Sequence, residues 1–469
     1  MLFNSYDFAV FFLIVYGIYR LLPHRAQNIH LLVSSYIFYG WWDPRFLSLI
    51  LISTVVDFLC GKTINTSGIS QSRKKLFLVL SICCNLGLLG FFKYYNFFIG
   101  SLAGSLSAAG FNPEVLHLNI ILPVGISFYT FQTMSYTIDI YRGKLEPTEN
   151  FLDFALFVAF FPQLVAGPIE RATRLLPQIT SPRTINNEMT RNGLSLIIWG
   201  FFKKIFVADN MAVIVNQVFS MDSSSLNFWY VTLGAYAFAF QIYGDFSGYS
   251  DIARGVSRLL GFNLKINFKS PYFVRSPGEI WRHWHVSLST WLRDYLYISL
   301  GGNRKGESRM RINLLITMLL GGLWHGAAWN FIWWGLYHGI ILIVFRKYDE
   351  TNNHDTFSIR NSLKWICMFQ LTAFGWLIFR AGDDGQLTIM LMKLMDIAPL
   401  SMEIIYKFGA LAFFSFFVIW EQFNKLGHEH ETAFAESSLK WKVPVFIYLL
   451  FSIIYLAAPA QQEFIYFQF

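Results

Sequence analysis

The sequence predicts an all-α protein that crosses a membrane many times. Three observations carry that prediction. Of 469 residues, 54% are hydrophobic and only 14% are charged, where a soluble domain carries about 25% charged residues. Aromatic side chains make up 19% of the chain, with 49 Phe, 23 Tyr and 15 Trp. The mean hydropathy is +0.42. Together these exclude a disordered chain, a disulfide scaffold, a fibrous protein and an ordinary cytosolic enzyme.

Apolar windows fall near 6–22, 27–42, 45–60, 76–99, 118–141, 193–216, 226–243, 312–326, 328–345, 362–379, 404–421 and 443–459. Each is too long for a strand and too apolar around its circumference for a surface helix. They predict about eleven to twelve transmembrane helices, several shorter than the ~20 residues a bilayer asks for. Short spans imply local bilayer thinning or helices tucked inside the protein. Segment 151–168 is apolar but broken by Pro162, Gly167 and Pro168. It is expected to be re-entrant or interfacial, because irregular backbone is tolerated at membrane depth only where protein or a cavity satisfies it. No linker, low-complexity tract or internal repeat divides the chain, which reads as one domain over 1–469. The missing repeat argues against the common inverted-repeat transporters.

Loop charges set an orientation. Segment 61–75 holds Lys62, Arg73, Lys74 and Lys75, and 169–192 holds Arg171, Arg174, Arg183 and Arg191, whereas 100–119 and 217–227 hold no Lys or Arg. By the positive-inside rule the first two are cytoplasmic, and the N-terminus lies outside. Segment 380–403 should then be outside, yet it carries Arg380 and Lys393, so the later crossings fit less cleanly. Segment 244–311 has eleven Lys or Arg against five Asp or Glu, interleaved with aromatic residues. That pattern is expected of helices lying at a cytoplasmic membrane interface.

The net charge of +8 reflects such basic loops, and no recognisable nucleic-acid module accompanies it. Cys60, Cys83, Cys84 and Cys367 lie in or beside apolar stretches without a C-x-x-C pair, as packing residues do. The opening MLFNSYDF lacks the basic flank and small-residue site of a cleaved signal peptide.

Three places carry polar groups where a bland span would have Leu. The first runs from Gly321 to Asn330, with His325 between two predicted helices. Ionisable groups inside a membrane are costly and read as functional by default. Neutral imidazole is the cheapest to bury and is a general base near neutral pH. The competing reading is a histidine hydrogen-bonded across a helix pair, with the glycines serving packing. His338 lies 13 residues later, about 220° around a continuous helix, and is expected to face elsewhere.

The second place is 281–295, with Arg282, His283, His285, Ser289 and Arg293. On one continuous helix His285, Ser289 and Leu292 share a face, while His283 points away from His285. Arg282 and Arg293 suit phosphates of an anionic donor, or lipid headgroups if the helix is only interfacial. No third ligand completes a zinc site. The third place is 241–251, where Asp245 or Ser247 either caps the next helix or lines a polar cavity. There is no G-x-S-x-G elbow, no P-loop and no G-x-G-x-x-G, against a Ser hydrolase and a nucleotide-driven pump.

At these motifs the chain resembles the membrane-bound O-acyltransferases, most of all their alginate O-acetyltransferase branch. The matching stretches are Pro123–Gln132, Phe161–Ile169, Asp245–Asp251, 281–302 ending Leu300-Gly301-Gly302, and Gly322–Asn330, in family order over about 120–340. Ser299 stands where the branch is expected to have Pro, and 380–469 matches in hydropathy alone. The resemblance implies a ring of tilted helices around a thin centre, with a cavity joining the two faces. It places His325 at the family's catalytic histidine and His285 at its second recurrent polar position. It implies acetyl transfer from a cytoplasmic thioester, acetyl-CoA, to an exported polysaccharide, with no resident cofactor. A periplasmic SGNH-type acetyltransferase, the polysaccharide export machinery and membrane lipid are the implied partners, in the bacterial inner membrane.

Joining the two readings, His325 serves as base or brief acyl carrier, and His285 or the Trp324 N–H steadies the oxyanion. Arg282, Arg293, Asp245, Ser289 and Asn330 are substrate-side candidates. Alginate, cellulose, another exopolysaccharide, peptidoglycan and teichoic acid remain as acceptors. Outside the enzyme class, a polysaccharide transporter and an export scaffold are the competing readings.

Overall fold

A computed structural model describes residues 1–165, 167–346, 359–424, 439–459 and 462–465. The chain is 74% helical, with no strand among the described residues. It falls into two compact units: Met1–Thr190 with Val256–Lys265, and Arg191–Gly255 with Ile266–Phe469.

The first unit contains α1 (Tyr6–Leu21), α2 (His24–Gly40), α3 (Leu47–Ile64), α4 (Gln71–Leu89), α5 (Tyr95–Ala108), α6 (Ile126–Tyr141), α7 (Phe151–Ala159), a short turn α8 (Phe161–Leu164) and α9 (Ala172–Thr180). Side-chain caps start several of them. Ser5 Oγ accepts from the Phe8 N–H at 3.1 Å, and Asn150 Oδ1 accepts from the Leu152 N–H at 2.9 Å. Each satisfies a donor that the helix itself leaves orphaned. The window at 118–141 becomes helical only at Ile126, after Gly125 turns the chain with φ 74°. The apolar window at 151–168 breaks after Ala159, as its prolines require, and α7 and α8 are almost wholly buried.

Between α3, α4 and α6 lies a polar cluster with no solvent exposure at Asp57. The Asp57 carboxylate accepts from Ser81 Oγ and from Asn85 Nδ2 at 2.7 Å. Asn85 Oδ1 in turn accepts from Ser53 at 2.7 Å and Thr133 at 3.1 Å. Every polar atom of Asn85 is thus used, the condition under which buried polar groups are tolerated.

In the second unit α10 (Asn187–Phe201) runs through a π-helical stretch, Phe202–Ala208, into α11 (Asp209–Phe219). It packs on α12 (Phe228–Leu259) with backbones nearly touching: a Cβ at Gly200 would stand 2.6 Å from the Gly248 carbonyl oxygen. The wider turn brings the adjacent Lys203 and Lys204 both inside. Lys203 meets Asp251 at 2.6 Å, and Asp251 also holds Arg254 at 3.0 Å. Lys204 meets Asp209 and Asp245, each at 2.9 Å. Two corrections to the sequence reading follow. Asp245 and Ser247 lie in mid-helix and cap nothing. The segment after residue 243 does not leave the span there, because α12 continues for a total of 32 residues.

The remaining elements are α13 (Pro277–His283), α14 (Val286–Trp291) with its π-helical continuation Leu292–Tyr297, α15 (Glu307–His325), α16 (Trp329–Val344), α17 (Ile359–Arg380), α18 (Asp384–Lys393), α19 (Met402–Asn424) and α20 (Leu439–Tyr455). Every predicted window contains a helix. Among the described residues, four helical stretches are long and apolar enough to cross a membrane: Pro44–Ile64, Gln71–Ala108, Ile359–Arg380 and Met402–Asn424. Phe151–Leu164, Trp329–Val344 and Val443–Tyr455 are shorter apolar helices. Only Cys60 is a buried packing residue; Cys83 and Cys367 face outward.

Candidate functional site

Two features of the second unit build the site. The first is the α15–α16 hairpin. A Cβ on Gly322 would fall 2.1 Å from the Phe331 carbonyl oxygen and 3.1 Å from Gly335, so the two helices meet backbone to backbone. This closeness turns the last residue of α15, His325, into the packed interior, 4% exposed. Its ring meets Trp324 at 5.1 Å, Trp334 at 5.1 Å and Phe379 at 5.3 Å between centroids, each edge to face. Asn330 is buried and donates from Nδ2 to the Phe379 carbonyl at 2.8 Å, tying that wall to α16.

The second is a break between α13 and α14. Ser276 caps α13, accepting from the Glu279 N–H at 3.3 Å, and Glu279 reaches back to the Arg275 N–H at 2.6 Å. The helix then stops. His285 takes φ 42°, in the left-handed region, a conformation that costs a non-glycine residue about 1–2 kcal/mol. Asn267 holds it there: its carbonyl accepts from the Val286 N–H at 2.9 Å. The continuous helix expected over 281–295 is therefore replaced by two short ones. Ser289 Oγ donates to the Trp284 carbonyl at 3.0 Å, and its N–H donates to the His285 carbonyl at 2.9 Å.

The Asn267 side chain also settles the protonation of His285. Asn267 Oδ1 accepts from the Ser287 N–H at 3.1 Å, which identifies it as the oxygen. His285 Nδ1 lies 3.2 Å from that same atom and 3.4 Å from Ser287 Oγ, and a proton on Nδ1 satisfies the shorter contact. The lone pair of the neutral ring is then on Nε2. Burial lowers the His285 pKa to about 3, so the ring stays neutral. A neutral ring of this tautomer accepts a proton or hydrogen bond at Nε2 and does not donate there. The sequence singled out no role for Asn267, whose only signal was an Asn in a loop.

The two histidines meet through one ring. His285 stands 5.8 Å from Trp324, and Trp324 stands 5.1 Å from His325. His338 belongs to the same aromatic body, contrary to the sequence expectation. Its ring is 4.6 Å from Trp334, which also packs on His325. The helix breaks at Gly326–Ala328, so a single-helix angle does not apply. His283 faces a different partner, the Lys269 carbonyl. Arg282 is exposed, and Arg293 is exposed and paired with Asp294 at 2.7 Å. Asp245 is buried against Lys204. Among the described residues no group of three metal-ligating side chains forms.

A polar pair of imidazoles sunk among tryptophans suits proton transfer from a hydroxyl. The model of the membrane-bound O-acyltransferase family matches residues 147–381, half of the chain, and spans both histidines. The chain belongs to the membrane-bound O-acyltransferase family. This O-acyltransferase is 44% identical over 385 residues to a probable alginate O-acetylase (AlgI) of Pseudomonas putida, covering 82% of the chain and 78% of the relative. It is 37% identical to a peptidoglycan O-acetyltransferase of Helicobacter pylori, covering 82% and 77%. A teichoic acid D-alanyltransferase of Streptococcus thermophilus is 31% identical over 47% of this chain and 56% of its own. The O-acyltransferase is accordingly a multi-pass membrane enzyme that transfers acyl groups to oxygen.

Proposed function

We propose that the enzyme takes an acetyl group from a cytoplasmic thioester, acetyl-CoA, and passes it across the bacterial inner membrane for O-acetylation of an exported polysaccharide such as alginate. The observation that carries this reading is the buried His285–Trp324–His325 group, with centroid steps of 5.8 and 5.1 Å. It rests as well on likeness to relatives named for alginate and peptidoglycan O-acetylation.

In the proposed reaction an acceptor hydroxyl attacks the thioester carbonyl. His325 takes the hydroxyl proton as the C–O bond forms. The C–S bond then breaks, and the thiolate leaves and regains that proton. The Nε2 lone pair of His285 orients the acceptor by accepting from a second hydroxyl beside the reacting one, whose own single proton goes to His325. Oxyanion stabilisation then falls to a ring donor such as the Trp324 N–H rather than to His285. Arg282 and Arg293, both exposed, are the candidates to meet the donor's phosphates. A periplasmic SGNH-type acetyltransferase and the export machinery complete the route, with the N-terminus outside.

The test is the O-acetyl content of extracellular polysaccharide in the intact strain, a deletion and His325→Ala at matched membrane abundance. Loss in both variants is expected. Loss in the deletion alone would make the protein a scaffold and retire the mechanism. Transfer from labelled acetyl-CoA by the purified enzyme separates acylation from transport.

A further inference from the structure

The segment near the C-terminus is seated deep in the second unit. Phe464 has no solvent exposure, and Ile465 has 1%. Two backbone groups anchor it. The Ile465 N–H donates to Asp245 Oδ2 at 2.6 Å, and the Gln462 carbonyl accepts from Lys204 Nζ at 2.9 Å. Both partners belong to the buried ionic group of Lys204, Asp209 and Asp245. One ammonium there faces two carboxylates, an excess of negative charge that needs further donors. The Ile465 N–H is such a donor.

The anchored segment leads by contact to His285. The Phe464 ring lies 4.4 Å from Tyr249 and 6.1 Å from Phe246. Phe246, one residue past Asp245 on α12, packs edge to face on His285, with centroids 4.6 Å apart and planes at 88°. His285 is thus fixed on its Nδ1 edge by Asn267 and packed against Phe246, which Phe464 backs.

We infer that the strap Gln462–Ile465 is a positioning element of the acyl-transfer site, with Phe464 holding the His285 ring in register through Phe246 and Asp245 serving as its anchor. This rests on the reading of His285 and His325 as the reacting pair. Close packing makes the link physical: interiors are filled to crystal-like density, so a void behind Phe246 is felt by the ring in front of it. A misplacement of about 1 Å at a reacting group costs up to about a hundredfold in rate.

The experiment measures acetyl transfer by the purified full-length enzyme in four variants: Phe464→Ala, Phe464→Leu, Leu449→Ala and His285→Ala. Leu449 is a buried α20 residue, 1% exposed, and reports on destabilisation alone. Phe464→Ala is expected to lower kcat by roughly tenfold with donor KM unchanged within about twofold, as loss of positioning predicts. Phe464→Leu, which refills the space, recovers most of the loss. Leu449→Ala keeps its kcat per folded molecule. Unchanged kcat per folded molecule in Phe464→Ala, with activity lost in His285→Ala, overturns the strap alone. Full activity in His285→Ala overturns the site reading and the inference with it.

Discussion

Asn267 Oδ1 and His285 Nδ1 stand 3.2 Å apart, and this contact fixes which nitrogen of the buried histidine holds its proton. The same oxygen accepts from both the N–H and the hydroxyl of Ser287, at 3.1 and 2.9 Å. Asn267→Leu removes the acceptor, frees the ring to take the other tautomer and relaxes the left-handed turn. Acyl transfer is expected to fall by about a hundredfold, the lower end of what a lost proton-handling group costs. Wild-type kcat in Asn267→Leu would show that the tautomer does not matter.

The α15–α16 hairpin tests the packing argument. A Cβ at Gly322 would lie 2.1 Å from the Phe331 carbonyl oxygen, which is backbone and cannot swing away. Gly322→Ala is expected to push the helices apart and destabilise by about 2 kcal/mol or more. Thermal unfolding in detergent reads this directly. An unchanged midpoint would mean that the hairpin has slack the geometry does not suggest.

The two buried lysines should differ in weight. Lys204 serves two carboxylates and a carbonyl. Lys203 serves Asp251, which Arg254 also holds. Removing a partner from a buried ionic group costs about 3–5 kcal/mol. Lys204→Met is therefore expected to destabilise by that much and Lys203→Met by less. The order of their unfolding midpoints checks the claim, and a reversed order would refute it.

The Asp57 cluster makes a prediction far from the candidate chemistry. Asp57→Asn keeps a polar side chain of the same shape between Ser81 and Asn85 and should cost less than about 1 kcal/mol. Asp57→Leu leaves a buried hydroxyl and amide without their acceptor and should cost about 2 kcal/mol or more. Equal stability of the two variants would show that the hydrogen bonds carry little.

Sequence alone determined the helical membrane class, because apolar content and window length are properties of the chain itself. It also singled out His325 as a candidate, because a titratable group in an apolar run stands out without any fold, and His285 as a second candidate through the family resemblance. Only tertiary structure decided the rest. Helix periodicity cannot foresee the left-handed turn at His285, which exists because Asn267, 18 residues away, supplies the partners that offset its strain. Nor could it place His338 beside Trp334, since the angle between residues on one helix says nothing once Gly326–Ala328 folds the chain back. Asp245 looked like a cap or a cavity lining because sequence shows its neighbours in the chain. Its partners, Lys204 and the Ile465 N–H, lie 41 and 220 residues away. Charge pairing and close packing join residues through space, and that information appears only when the chain is folded.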